Sequence, residues 1–250
     1  MIYHRATRKF SASSTFILTA CACTVFLFIH AAAAGSPAAV EPQPTSVGIP
    51  HLEQRLIQEG FIDVRTLDPH IMVELEYARA ANFIGENVYG TITRAYLRPE
   101  AAEKLARASE ILRERHPGLR ILVTDAVRPR SIQHKMWKLV AGTPRQPYIA
   151  NPSSGSMHNY GAAVDVTLYN IETGRRLDMG TPIYFLGSLA QPALERDYLR
   201  AGKLNAHQIE NRAILRKAMV DAGWHSLSIE WWHFDAFPRD YVRREYSIFE

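Results

Sequence analysis

Ser156-Met157-His158-Asn159-Tyr160-Gly161-Ala162-Ala163-Val164-Asp165 is the stretch from which the rest of the chain is placed. Its tail, Ala162 to Leu168, alternates as a strand: Ala163, Asp165 and Thr167 share one face, and Val164, Val166 and Leu168 share the other. Asp165 is therefore a carboxylate among small and polar neighbours, opposite an aliphatic face. Gly161 lets the chain turn tightly between His158 and Asp165 and brings the two side chains together. Far downstream, Glu230-Trp231-Trp232-His233 adds a second imidazole and a second carboxylate. His158, Asp165 and His233 offer three ligands for one metal with a position left open for water, and Glu230 offers a base for that water. In a regular strand, residues i and i+3 point to opposite faces. Glu230 and His233 thus share a site only if a bulge, a strand end or a helical turn intervenes. Ser156, two residues before His158, is placed for a supporting hydrogen bond or a substrate contact.

Working outward, Leu119-Arg120-Ile121-Leu122-Val123 is a short run expected to form a buried strand. It leads into Asp125-Ala126-Val127-Arg128-Pro129, where Pro129 forces an extended or turning backbone at Arg128. Ile71 to Tyr77 alternates as a half-buried strand. Pro99 to Arg115 carries a helical stripe with proline at its first position, and His116-Pro117-Gly118 stops it. Helices are also expected over Ser131 to Val140 and over Ala206 to Ala222, the latter with Asn205 and Gln208 as a capping box and Gly223 as a stop. The aromatic run Ile229 to Phe234 is expected as a last strand. Strands separated by helices at unequal spacing indicate an α+β fold, a single domain with a mainly antiparallel sheet flanked by helices.

The chain has 250 residues, 47% of them hydrophobic, enough for one well-buried core. Its formal charge of +4 falls by three when Arg5, Arg8 and Lys9 are set aside, and no acidic residue precedes Glu41. A nearly neutral body lacks the basic face expected of a nucleic-acid partner, so none is expected. Those three cations, the apolar run Phe16 to Ile29 and the small residues Ala31 to Ala34 read as a signal peptide over residues 1–34. Leu18-Thr19-Ala20-Cys21 also has the form of a lipoprotein signal, and retention of an uncleaved anchor is a further alternative. Residues 35–50, rich in Pro, Ala and Ser, read as a flexible linker, and residues 51–250 as the catalytic domain. The protein is expected to be exported, to the periplasm or cell envelope, with no membrane span in the mature chain unless the signal is retained or lipidated. Both cysteines, Cys21 and Cys23, lie in the signal, so a metal in the mature chain must be held by histidine and carboxylate.

There is no H-E-x-x-H, G-x-S-x-G or S-x-x-K motif, and no Walker-type or dinucleotide loop. His116, His134, His207 and His225 lack carboxylates at ligand-like spacing and are read as structural. Trp231 and Trp232 are read as core packing that desolvates Glu230 and raises its pKa. By residue type alone, Arg128 is read as an ion-pair partner of Asp125.

Ser156-x-His158-x-x-Gly161-x-Ala163-x-Asp165 with Glu230-x-x-His233 resembles the zinc signature of the D-alanyl-D-alanine dipeptidases. The resemblance extends through Tyr77-Ala78, Asn82-Phe83-x-Gly85, Val88-Tyr89-Gly90, Asp125-x-x-Arg128-Pro129, Asp165 to Tyr169 and Met179-Gly180, covering about residues 61–237. It implies a LAS-type zinc metallopeptidase (D-Ala-D-Ala peptidase and Hedgehog-like) fold with one Zn2+ per chain. It implies His158, Asp165 and His233 as zinc ligands, Glu230 as general base and Arg128 as stabiliser of the oxyanion. Tyr77 and Ser156 would help to hold the amino terminus of a substrate, D-Ala-D-Ala or a related peptidoglycan-derived peptide. The implied activity is hydrolysis of D-Ala-D-Ala in cell-wall peptide metabolism. Alternatives are a zinc D,D-carboxypeptidase or endopeptidase on stem peptides and a non-catalytic peptidoglycan-binding module. One departure bears on substrate: Tyr184 stands where the family usually has an aspartate that pairs with the substrate ammonium.

Overall fold

The computed structural model describes residues 51–250; the signal peptide, linker and lipidation readings fall on residues 1–50, outside the described residues. In chain order the elements are α1 (His51–Gln58), β1 (Ile62–Asp63), β2 (Met72–Val73), β3 (Tyr96–Leu97), α2 (Pro99–Arg115), β4 (Leu119–Asp125) and α3 (Arg130–Val140). They continue with β5 (Ala163–Asn170), β6 (Arg175–Arg176), α4 (Glu195–Arg200), α5 (Ala206–Asp221), β7 (His225–Ser226), β8 (His233–Asp235) and α6 (Arg239–Glu245). The main sheet runs β2-β4-β5-β8-β7, with β6 on the far end of β5, while β1 and β3 form a separate antiparallel pair. Only β2 against β4 is parallel in the main sheet, so the α+β, mainly antiparallel expectation holds, with a mixed edge.

The β5 alternation organises the core. Ile121 pairs with Leu168, Val123 with Val166 and Val164 with Phe234, an aliphatic layer spread over three strands. Leu105, Ala108 and Leu112 of α2 and Leu215 and Met219 of α5 join it in one buried cluster. The opposite face, Asp165 and Thr167, is also buried, so β5 is covered on both sides for most of its length. The capping box of Asn205 and Gln208 forms as expected, each side chain accepting the other's backbone N–H at 2.9 Å.

Two expected strands are shorter than their alternation implies. Of Ile71–Tyr77 only Met72–Val73 pairs in the sheet, and its ladder ends where Glu74 N–H donates to Val123 O at 2.9 Å. Leu75, Glu76 and Tyr77 are then all buried in succession, because the chain turns into a 3-10 helix, Glu76–Ala78, across the sheet end. The ion pairs of Glu76 with Arg79 at 2.9 Å and Arg176 at 2.7 Å hold that turn. In Ile229–Phe234 the strand begins only at His233. Glu230 therefore precedes the ladder, and a strand end resolves the i, i+3 conflict.

Asp68 ties the loop before β2 to α2, accepting from Arg113 Nη1 at 2.9 and 3.0 Å and from His70 N–H at 2.9 Å. Burial would raise its pKa, but His70 N–H, Ser109 and Arg113 hold it below the usual carboxylate range. A depressed folded-state pKa gives stability that is present above the unfolded value and lost as pH falls through the folded one. Asp68→Asn is expected to cost about 1.5–3 kcal/mol at pH 7. Urea denaturation at pH 7 and pH 3 should show the gap from the parent chain narrowing in acid.

Candidate active site

Strand register sets the site. Asp165 lies directly opposite His233 on β8, and opposite residues of an antiparallel pair project to the same face. On the other side the β4–β5 register shifts between Val123 and Asp125, so Asp125 pairs with Asp165. Without the shift, Asp125 would follow Val123 in parity and point into the aliphatic layer. The irregularity turns it to the polar face, the usual use of a bulge beside a functional site. Thr124, the extra residue, donates its hydroxyl to Asp165 O at 3.1 Å.

His158 comes from a different element, the 3-10 turn Met157–Tyr160. Ser156 caps that turn, its Oγ accepting from His158 N–H at 3.4 Å, while Asn159 Oδ1 accepts from Ser156 N–H at 2.7 Å. Gly161 closes the turn at φ 67°, and a Cβ there would lie 2.3 Å from the Phe61 ring, so no side chain fits. Arg128 N–H donates to His158 O at 2.9 Å and Asn159 Nδ2 to Arg128 O at 2.8 Å, locking the turn to the end of β4.

The three expected ligands meet. His158 Nε2 is 3.1 Å from His233 Nδ1 and 3.3 Å from Asp165 Oδ1, and His233 Nδ1 is 3.0 Å from Asp165 Oδ1. The other nitrogen of each ring is committed: His158 Nδ1–H donates to Ala126 O at 2.7 Å and His233 Nε2–H to Asp235 Oδ1 at 2.8 Å. The remaining nitrogen of each ring turns toward the Asp165 carboxylate, so three metal-ligating atoms face one another in a buried site. Such a triangle needs a proton or a cation at its centre. Tetrahedral zinc with ligands at about 2.0–2.1 Å spaces adjacent ligand atoms about 3.3 Å apart, which matches the triangle. The site fits a metal with nitrogen and oxygen ligands.

Electrostatics agree with that reading. Burial alone would raise the Asp165 carboxyl, but His158 and His233 hold it well below the carboxylate range. Burial opposes charge on His233, yet Asp235 and Asp165 push its pKa well above the usual imidazole value. Both shifts favour a positive charge among the three side chains, the condition a bound cation would meet. Burial pushes the Glu230 carboxyl up to about 8, in the direction expected from its tryptophan neighbours. A divalent cation on the adjacent ligands would favour its ionised form.

Arg128 is both the ion-pair partner of Asp125 and part of the cavity wall. Its Nε and Nη2 donate to Asp125 Oδ2 and its Nη1 to Gln133 Oε1 at 2.8 Å. One N–H on each terminal nitrogen is left over from the five of a guanidinium. Asp125 is itself anchored by Tyr89 OH at 2.5 Å and Ala126 N–H at 3.0 Å. Tyr77 is buried, its ring 5.3 Å from the Arg128 guanidinium carbon and 5.1 Å from the Tyr184 ring.

His158, Asp165, His233, Glu230, Arg128, Tyr77, Ser156 and Tyr184 all line one cavity of about 180 Å³. That is smaller than the roughly 300–1,000 Å³ that takes drug-sized ligands and suits a dipeptide or a peptide end. Tyr184 is the one non-glycine residue among the described residues with positive φ, at 61°. Its hydroxyl bonds Thr124 Oγ1 at 3.1 Å and its ring meets Trp232 at 5.7 Å, contacts that hold a backbone conformation costing about 1–3 kcal/mol. His134, His207 and His225 are exposed and His116 half-buried, all away from the cavity lining.

Two residues of the site had no role assigned from the sequence, Asp235 and Tyr89, although Val88-Tyr89-Gly90 belongs to the family resemblance. Asp235 had a signal: two residues after His233 on a strand, it shares that residue's face. For Tyr89 no local pattern shows the role, because its partner Asp125 lies 36 residues on, beyond β3 and α2 at the end of β4.

A three-ligand metal centre with a buried carboxylate beside it, in a cavity of peptide size, is the layout of a metallopeptidase. The family model described as D-ala-D-ala dipeptidase matches residues 57–250, and the chain belongs to that family of peptidases. A D-alanyl-D-alanine dipeptidase of Escherichia coli K12 is 30% identical over 174 residues, covering 70% of this chain and 83% of that one. The namesake in Enterococcus faecium is 28% identical over 202 residues, 73% and 96% of the two chains. In Streptomyces coelicolor the figures are 29% over 190 residues, 70% and 90%.

Residues that orient metal-bound histidines are worth about 10–100-fold in metal affinity. Asp235→Ala is accordingly expected to weaken zinc binding by about that factor in a chelator competition, with the folded far-ultraviolet spectrum retained.

Proposed function

We propose that this chain is an exported zinc-dependent dipeptidase that hydrolyses D-Ala-D-Ala in cell-wall peptide metabolism. The observation that carries the reading is the triangle of His158, Asp165 and His233 with Glu230 in the same small cavity. The relatives named D-alanyl-D-alanine dipeptidase support the substrate. The sequence of residues 1–34 supports export to the periplasm or cell envelope, with lipidation at Cys21 as the variant form. Among the described residues no helix is long and apolar enough to cross a membrane.

His158, Asp165 and His233 would hold the zinc. When bound, zinc would acidify a water and polarise the scissile carbonyl. Glu230 takes the proton of the attacking water and hands it to the leaving amine, so that one side chain acts first as base and then as acid. Arg128 offers its uncommitted N–H groups to the negative charge that develops on the carbonyl oxygen. Because Asp125 and Gln133 fix the guanidinium beforehand, that donation needs little reorganisation. Tyr77 and Ser156 hold the amino-terminal end of the substrate against the cavity wall.

Tyr184 favours a second reading, a D,D-carboxypeptidase or endopeptidase on stem peptides. Among the described residues the only carboxylates lining the cavity are Asp165 and Glu230, and both have other work, so a free substrate ammonium finds no spare partner among them.

The zinc-supplied protein is expected to release D-alanine from D-Ala-D-Ala. Release only from a longer stem peptide would replace the dipeptidase reading with the second one. Glu230→Gln should lower kcat by about 10²–10⁴-fold while keeping its zinc. Unaltered turnover would remove Glu230 as the base.

A further inference from the structure

The cavity has a cationic rim that the mechanism does not use. Arg239 and Arg243 stand four residues apart on α6 and so share one side of that helix, and both line the cavity. Between them Val242 is fully buried and clusters with Met157, Tyr160 and Ala163. That contact fixes α6 against the turn that carries His158. The two arginines differ in their commitments. Arg239 Nε donates to Asp235 Oδ2 at 3.3 Å, and Asp235 in turn holds His233. Arg243 is exposed and has no hydrogen-bond or ion-pair partner among the described residues. Its neighbour Arg244 pairs with Glu245 at 2.8 Å and does not line the cavity.

A small peptide entering here meets a buried carboxylate at one end and an unpaired guanidinium at the rim. We propose that Arg243, with Arg239 beside it, is the subsite for the free C-terminal carboxylate of the substrate. A guanidinium fork matches a carboxylate in geometry and stays charged at any working pH. The assignment rests on the peptidase reading and deepens it: substrates are cleaved at their carboxyl end, whether the amino side is free or acylated. Peptides whose carboxyl end is amidated or extended would be poor substrates, because Arg243 would face a neutral group.

The test uses the full chain with zinc and four probes: D-Ala-D-Ala, N-acetyl-D-Ala-D-Ala, and the C-terminal amide of each. Hydrolysis of the free against the acetylated dipeptide decides the dipeptidase reading. The acid-to-amide comparison decides Arg243, and calorimetry on the Glu230→Gln protein reads it as binding, independent of turnover. Acid is expected to bind at least about tenfold more tightly than amide in the parent protein. Arg243→Ala should bring that ratio close to one through KM rather than kcat, Arg243→Lys should restore part of it, and Arg244→Ala should leave it unchanged. Equal binding of acid and amide by the parent, or an unaltered ratio in Arg243→Ala, would overturn the proposal.

Discussion

Three hydrogen-bond acceptors pressed to within 3.0–3.3 Å of one another cannot coexist in a buried site without a positive charge among them. Asp165, His158 and His233 are in that position, and much of the surrounding structure keeps them there. Ala126 O and Asp235 occupy the far nitrogens of the two rings, so neither imidazole can relieve the crowding by turning over. The cost of gathering the three is met by the sheet, whose aliphatic face buries Ile121, Val123, Val164, Val166, Leu168 and Phe234 against α2 and α5. The same strands that build the core therefore hold the charge-hungry cluster on their reverse side.

Division of labour follows from position on that sheet. The candidate ligands on β5 and β8 are rigid because their backbones are laddered, whereas Glu230 sits just before the β8 ladder begins, free of strand parity. Arg128 lies just past the end of β4, and a register shift in β4 supplies the carboxylate that anchors it. Chemistry is thus assigned to strand ends and their margins, and stability to strand centres. Other residues of the cavity wall come from elsewhere: Tyr77 from a 3-10 turn, Tyr184 from a strained loop and Arg243 from α6.

Much of this was legible in residue order. The period-two pattern of Ala162 to Leu168 gave β5 and its two faces, because a strand buried on one side by aliphatics and on the other by a polar site writes both into its alternation. Pro99 to Arg115 matched its helix end to end, since proline at its start and His116-Pro117-Gly118 at its stop are local signals. Ile71 to Tyr77 misled for a physical reason. Its alternation continues past the point where Glu76 is drawn out of line by Arg79 and Arg176, and the partner Arg176 lies 100 residues away. Helix α6 left little trace, because Val242 is its only buried residue.

What the sequence determined by itself was the donor set: two histidines, two carboxylates and an arginine of the right types, with a glycine turn that lets two of them meet. Those are properties of side-chain chemistry and short-range geometry, which a linear pattern carries. Tertiary structure alone decided that Glu230 escapes the parity of β8, that Asp125 is turned to the polar face and that Asp235 and Ala126 fix the two imidazoles. It also decided that Arg243 reaches the cavity with no ion-pair partner among the described residues. Each of these depends on the register between strands or on contacts between elements far apart in the chain, and neither is written in local residue order.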